Sequence, residues 1–283
     1  MRATARFLTH GTSLLRVGSA FSPSHRGGSG SPLVCLHGFT DTWRTWELVL
    51  PALERHHEVL APTLLGHAGG PALESEVVSD SLIVDAVERA MDEAGFETAH
   101  IVGNSLGGYV SLRLAARGRA RSVVALAPAG GWAQGDQCLR ETLEFFGEMQ
   151  EVLKAAAPHA GAIMASAEGR RRATQMTATN FEHIPPALLA HQMRGAANCE
   201  AVFPLIEHAV REGYSLEAEK ITCPVRIVWG TEDKLLLWPA AAARYRNEWL
   251  PNADWVELEG IGHCPQLDVP LETAQLIVGF TSG

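Results

Sequence analysis

The residues best placed to do chemistry lie in Gly103-Asn104-Ser105-Leu106-Gly107-Gly108. This G-x-S-x-G run sits between the short apolar strand His100-Ile101-Val102 and a helix predicted to begin near Leu106. A chain that turns sharply from strand to helix strains the residue between them. Gly103 and Gly107 leave room where side chains would collide with the neighbouring strand and helix. The turn presents the Ser105 hydroxyl in an open site and aims the first amides of the helix at whatever reacts there, where negative charge is favoured. The chemistry predicted is nucleophilic attack by Ser105, with the Leu106 N–H as one donor to the oxyanion.

With 27 glycines in the chain, the pentapeptide alone is a weak motif, and its weight comes from residues further along the chain. A serine hydroxyl is a poor nucleophile at neutral pH and needs a base, itself oriented by a carboxylate. Asp233 follows the β-branched run Pro224-Val225-Arg226-Ile227-Val228-Trp229-Gly230, a buried strand ending in glycine. A carboxylate just past a strand's C-terminal end faces the active edge of a parallel sheet. Glu232 is the competing acid, and a turn aspartate on the surface is the plain alternative for Asp233. His263 follows the alternating Asp254-Trp255-Val256-Glu257-Leu258-Glu259 and a flexible Gly260-Ile261-Gly262 loop. The order Ser105, Asp233, His263 is the one expected of this type of sheet.

Upstream, the apolar strand Leu33-Val34-Cys35-Leu36 runs into His37-Gly38-Phe39-Thr40. Glycine permits a tight turn there, and the Phe39 N–H becomes the second oxyanion donor opposite Leu106. His37 and His67 are read as structural, hydrogen-bonding histidines, as most of the 12 must be.

Together, His37-Gly38-Phe39, the Ser105 run, Gly230-Thr231-Glu232-Asp233 and Gly262-His263-Cys264-Pro265 resemble, in order, the four signature segments of the α/β-hydrolase superfamily. The resemblance covers nearly the whole chain; it is specific for fold and weakly specific for substrate. One segment departs from it: similar proteins carry Asp-x-x-Gly-His-Gly where this chain has Pro62-Thr63-Leu64-Leu65-Gly66-His67-Ala68, outside the triad.

The elements agree. A helical stripe over Ser81 to Ala94 (Leu82, Ile83, Ala86, Val87, Ala90, Met91) is expected to cover the sheet, and Ser122 to Ala127 to be the next strand. This alternation predicts an α/β fold, a mostly parallel sheet with helices on both faces. Between Gly130 and Leu216 strand-like runs vanish. Met149, Leu153, Ile163, Met164, Met176, Leu188, Leu189, Met193, Val202 and Leu205 are spread there among helix formers, with Pro185-Pro186, Gly161, Gly169 and Gly195 as breaks. The expectation is a core of residues 1–129 and 217–283 with an inserted helical cap over 130–216. Such a cap walls off a pocket suited to an apolar ligand, although any one methionine is more readily explained as packing. Trp132 is the best aromatic candidate for the pocket, ahead of Trp43, Trp46 and Phe181.

Composition narrows the function. A chain of 283 residues, 46% hydrophobic, can bury one large core. A net charge of −9 without a basic, aromatic-interleaved stripe disfavours nucleic acid or anionic lipid, and Arg170-Arg171-Arg172 is read as a solvated helix face. No run approaches the roughly 18 apolar residues of a membrane span, and Phe7-Leu8 is too short for the core of a cleavable signal. Five scattered cysteines without CxxC spacing fit reduced thiols, so the expected location is cytoplasmic. Cys264 is assigned to packing.

The predicted reaction is acyl transfer from a small to medium, largely apolar ester to water, with no metal, nucleotide or organic cofactor needed. Ser105 argues against haloalkane dehalogenase and epoxide hydrolase chemistry, for which the resemblance implies an aspartate nucleophile. Carbon–carbon bond hydrolases, cofactor-free perhydrolases and slowly turning ligand sensors on similar folds remain alternatives.

Overall fold

The computed structural model describes residues 21–74, 78–133 and 136–282. Phe7 and Leu8, on which the leader expectation rests, lie outside the described residues. The aliphatic runs form one seven-stranded sheet: β1 (Ser24–Gly28), β2 (Ser31–Leu36), β3 (His57–Pro62), β4 (Ala99–Asn104), β5 (Ala120–Leu126), β6 (Val225–Gly230) and β7 (Asp254–Leu258). Their spatial order is β1-β3-β2-β4-β5-β6-β7. All neighbours are parallel except β1, an edge strand antiparallel to β3.

Strands buried on both faces account for the uninterrupted apolar runs. Alternate residues point opposite ways. Val34, Leu36 and Ile101 meet α2 (Asp80–Glu93) and α3 (Leu106–Ala116), whereas Leu33, Cys35 and Val102 meet α1 (Leu50–Leu53) and the C-terminal helix, Pro270–Thr281. Each fully buried side chain of this size contributes about 1.5–3 kcal/mol. Helix α2 begins one residue earlier than expected, at Asp80, because the Ser79 hydroxyl caps it by accepting from the Leu82 N–H. Its buried stripe is Ile83, Val84, Ala86, Val87 and Met91; Leu82 points outward, 40% exposed.

Between β5 and β6 lies a helical insert of α4 (Gln137–Ala156), α5 (Ala160–Ala165), α6 (Ala167–Thr174), α7 (Pro186–Ala197) and α8 (Val202–Glu212). Pro186 opens α7 as expected of a first-turn proline. Gly161, Gly169 and Gly195 do not separate helices; they lie inside α5, α6 and α7. At two of them close packing explains the glycine: a Cβ on Gly169 would overlap the Ile163 carbonyl, and one on Gly195 would press on Thr42 Cγ2 at 3.1 Å.

Chain direction reverses across the sheet between β2 and β4. From β2 the chain moves outward to β3, and from β4 it moves the other way to β5, so the loops leaving β2 and β4 diverge and open a crevice at the strands' C-terminal ends. The registers Leu36↔Gly103 and Gly230↔Leu258 bring the ends of β2 and β4, and of β6 and β7, level in pairs. Among the described residues, no helix is long and apolar enough to cross a membrane.

Candidate active site

Ser105 stands at the lip of this crevice with φ 56° and ψ −118°, a conformation that costs a non-glycine residue about 1–3 kcal/mol. Three backbone hydrogen bonds impose it. The Ser105 amide donates to Leu126 O at 2.9 Å, and its carbonyl accepts from Tyr109 N at 3.1 Å and Ala129 N at 3.0 Å. The flanking glycines are required by contact: a Cβ on Gly103 would overlap Gly107 O, and one on Gly107 would overlap Leu36 O at the end of β2.

Asp233 and His263 come together from the ends of β6 and β7, both buried, with His263 Nδ1 2.7 Å from Asp233 Oδ2. Asp233 Oδ1 accepts from the Leu235 and Leu236 amides at 2.9 and 2.8 Å, so the carboxylate is oriented from both sides. With Asp233 ionised, Nδ1 is the donor, which leaves the lone pair on Nε2. Glu232 is exposed. The loop before His263, expected to be flexible, is pinned. Buried Asp268 accepts from Gly262 N at 2.7 Å and from Thr179 N and Oγ1 in the insert, while Ile261 O accepts from Glu232 N. Asn104 Nδ2 donates to His263 O at 3.0 Å, and Asn104 Oδ1 accepts from Gln266 Nε2 at 3.1 Å. Cys264 packs there as expected, buried, with Sγ 3.4 Å from Asn104 Oδ1 and its thiol pushed well up by burial.

On the opposite lip, His37 Nδ1 donates to Gly38 O at 2.8 Å and Nε2 accepts from Leu64 N at 2.9 Å, which fixes the tautomer. Burial and the adjacent His67 hold its pKa well below the usual imidazole range, so it is neutral and structural. The loop it anchors carries Phe39. Among the described residues, neither the Phe39 nor the Leu106 amide donates a hydrogen bond within the protein.

Two cavities meet at Ser105. The smaller, about 50 Å³, is lined by Leu106, Ala129, Trp132, Leu143 and Phe146 among others. The larger, about 380 Å³, reaches His263 and runs beneath the insert past Met149, Met164, Met176 and Met193. Trp132 thus lies on the smaller one. Trp46 is fully buried in the core, Trp43 stacks on His25, and Phe181 packs under the insert, so none of these three lines either cavity. Arg171 and Arg172 are exposed and paired with Glu168.

Asp268, Asn104 and a third residue, Asp41, were missed from sequence. Asp41 lines the larger cavity, accepting from Thr42 N at 2.8 Å and from Gln192 Nε2 of α7 at 2.9 Å. Burial outweighs these bonds and pushes its pKa up to about 6. Nothing local marks it, because an aspartate in a Thr-Asp-Thr loop has the look of a surface turn. Among the described residues, no group of three or more His, Cys, Asp or Glu is placed to hold a metal ion.

The fold and this arrangement define the class: the chain belongs to the alpha/beta hydrolase family, whose model matches residues 33–276. Among curated proteins it is 33% identical over 204 residues to epoxide hydrolase EphH of Mycobacterium tuberculosis, covering 72% of this chain and 95% of that one. It is 26% identical over 267 residues to the 2-hydroxymuconate semialdehyde hydrolase of Pseudomonas sp. strain CF600, covering 90% and 88%. Among solved structures, the meta-cleavage product hydrolase CumD of Pseudomonas fluorescens IP01 superposes with a TM-score of 0.69 at 21% identity, covering 92% of this chain and 93% of that one. That likeness is one of fold. The chain is thus a hydrolase of this family.

Proposed function

We propose that this protein is a serine hydrolase that cleaves carboxylic esters through an acyl-enzyme. The carrying observation is that Ser105, on its strained turn, opens onto the same cavity as a His263 already bonded to Asp233 at 2.7 Å. Ser105 Oγ attacks the ester carbonyl carbon while His263 Nε2 takes its proton, and the Phe39 and Leu106 amides bind the oxyanion. The proton passes to the leaving alcohol oxygen, and water then repeats the attack on the acyl-enzyme. In this reading residues 1–129 and 217–283 are the core, residues 130–216 are a cap that walls the pocket, and Trp132 contacts substrate. The five free cysteines support a reducing compartment, and we place the protein in the cytoplasm.

The two cavities support a division of the ester between them. His263 must protonate the leaving alcohol, and only the larger cavity reaches His263, so the alcohol belongs there and the acyl group in the smaller one. Short acyl chains on a bulky alcohol are the substrates this division favours. The names of the two relatives fit this site less well. Ser105 attack on an epoxide carbon would leave an ether, with no carbonyl for water to attack. A muconate semialdehyde carries a carboxylate, whereas the arginine on the larger cavity, Arg172, is 77% exposed and engaged by Glu168, and Asp41 lies in the wall.

Turnover of p-nitrophenyl esters of graded acyl length tests the reading. Acetate and propionate should be favoured, and Trp132→Ala should move the optimum to longer chains, by about tenfold or more between adjacent lengths. Negligible turnover of every ester would contradict the reading and favour a ligand sensor. Equal losses on all esters in Trp132→Ala would make that indole structural.

A further inference from the structure

The wall of the larger cavity is mostly apolar, with Phe145, Phe146, Leu189 and Met193 among its side chains. Asp41 interrupts it, two residues beyond the Phe39 amide. Thr40, just before it, has φ 65°, a left-handed conformation that a β-branched residue rarely adopts. Such strain persists only where the surroundings over-determine it. Here they do: Gln192 and His191, successive residues of α7, bond Asp41 Oδ2 at 2.9 Å and Thr42 Oγ1 at 3.1 Å. The loop is clasped with the Asp41 carboxylate on the cavity. Another polar side chain, Gln150 of α4, is 2% exposed and lines the same cavity. Its Nε2 donates to Ala197 O at 3.3 Å, and among the described residues nothing donates to its Oε1.

A carboxylate has about four lone-pair positions, and the Thr42 amide, the Gln192 amide and the Thr45 hydroxyl occupy three of them. One acceptor position therefore remains, on a half-buried carboxylate that faces the cavity. An anionic ligand would be repelled by Asp41. An ammonium would bring three N–H groups to the one position left on Asp41. A hydroxyl brings one donor and needs little else.

We propose that Asp41, oriented by Gln192 and joined by Gln150, forms a polar subsite that accepts a hydrogen bond from a hydroxyl on the leaving alcohol. The preferred substrates are then neutral monoesters of diols or polyols. This rests on the ester-hydrolase reading and on the alcohol occupying the larger cavity.

The test compares 4-hydroxybutyl acetate with pentyl acetate, which differ by a hydroxyl in place of a methyl. The wild-type protein should favour the hydroxy ester in kcat/KM by about tenfold or more, since a site built to bond a hydroxyl rejects the analogue lacking it. Asp41→Asn, which keeps one carbonyl acceptor, should shrink the ratio, and Asp41→Ala should abolish it. A ratio near one in the wild type, or losses in the variants that fall equally on both esters, would overturn the subsite and leave Asp41 a positioning residue of the loop. Calorimetry with the matching ethyl ethers, which cannot be hydrolysed as esters, separates this from failure of the ester reading. Tighter binding of the hydroxy ether, lost in Asp41→Ala, supports the subsite even if no ester turns over. Equal binding of the two ethers overturns it.

Discussion

The turn at Ser105 and the helical insert hold their cavity-facing residues by opposite means. At Ser105 the backbone decides: three hydrogen bonds and two glycines without room for a Cβ fix the turn that carries the side chain. In the insert all four methionines, Met149, Met164, Met176 and Met193, line the larger cavity with unbranched side chains that adapt to irregular space. Bond-making needs placement within a fraction of an ångström, whereas apolar recognition tolerates repacking. The molecule therefore keeps its rigid residues on the sheet edge and its adaptable ones above it.

The largest expected effect lies on the rigid side. Asp233→Asn should lower kcat by about 10⁴, because the amide favours the wrong imidazole tautomer, while Glu232→Gln at its exposed position should change kcat less than about twofold. Steady-state kinetics on one ester ranks them. The reverse order would move the acid.

A stability measurement sharpens the contrast directly. Gly107→Ala forces a methyl against Leu36 O and should cost about 1–3 kcal/mol in urea denaturation, as overpacking does, with loss of activity. Met193→Leu in the insert should cost less than about 1.5 kcal/mol and alter substrate preference more than kcat. Similar costs at both sites would end the distinction.

The smallest effect is a pH dependence. The folded protein holds Asp41 at about 6, above the ordinary carboxylate value of 3.8. Its charged form is therefore disfavoured in the folded state, and the resulting penalty is fully present above about pH 6 and vanishes as pH falls toward 4. Removing the charge should help only where the penalty exists. The Tm of Asp41→Asn relative to the wild type should accordingly rise between pH 5 and pH 8 in thermal denaturation. A difference that is flat with pH would mean that the carboxylate is better solvated than its position indicates.

The contrast between the two regions also explains what the sequence made legible. The strands before Ser105, Asp233 and His263 are short β-branched or aliphatic runs closed by glycine or a loop, and each emerged within a residue or two of its expected place. Their local chemistry is sufficient because a doubly covered parallel sheet demands continuous apolarity. The insert is different. Apolar side chains on its helices face the core, each other or the cavity, and helical spacing alone does not say which. Phe181 of the insert therefore went to packing while the methionines, better explained locally as packing, line the cavity. Asp268 and Asp41 were hidden for a related reason: their partners Thr179 and Gln192 lie 89 and 151 residues away. Only the fold brings them together.

The proposal that Ser105 is the nucleophile is tested most directly by stoichiometric labelling with a p-nitrophenyl alkylphosphonate, followed by peptide mass spectrometry. The expected result is one phosphonyl group per chain, on the peptide carrying Ser105, with activity lost in proportion and no adduct in Ser105→Ala. A phosphonyl group on any other residue, or undiminished ester turnover by Ser105→Ala, would contradict the assignment of Ser105.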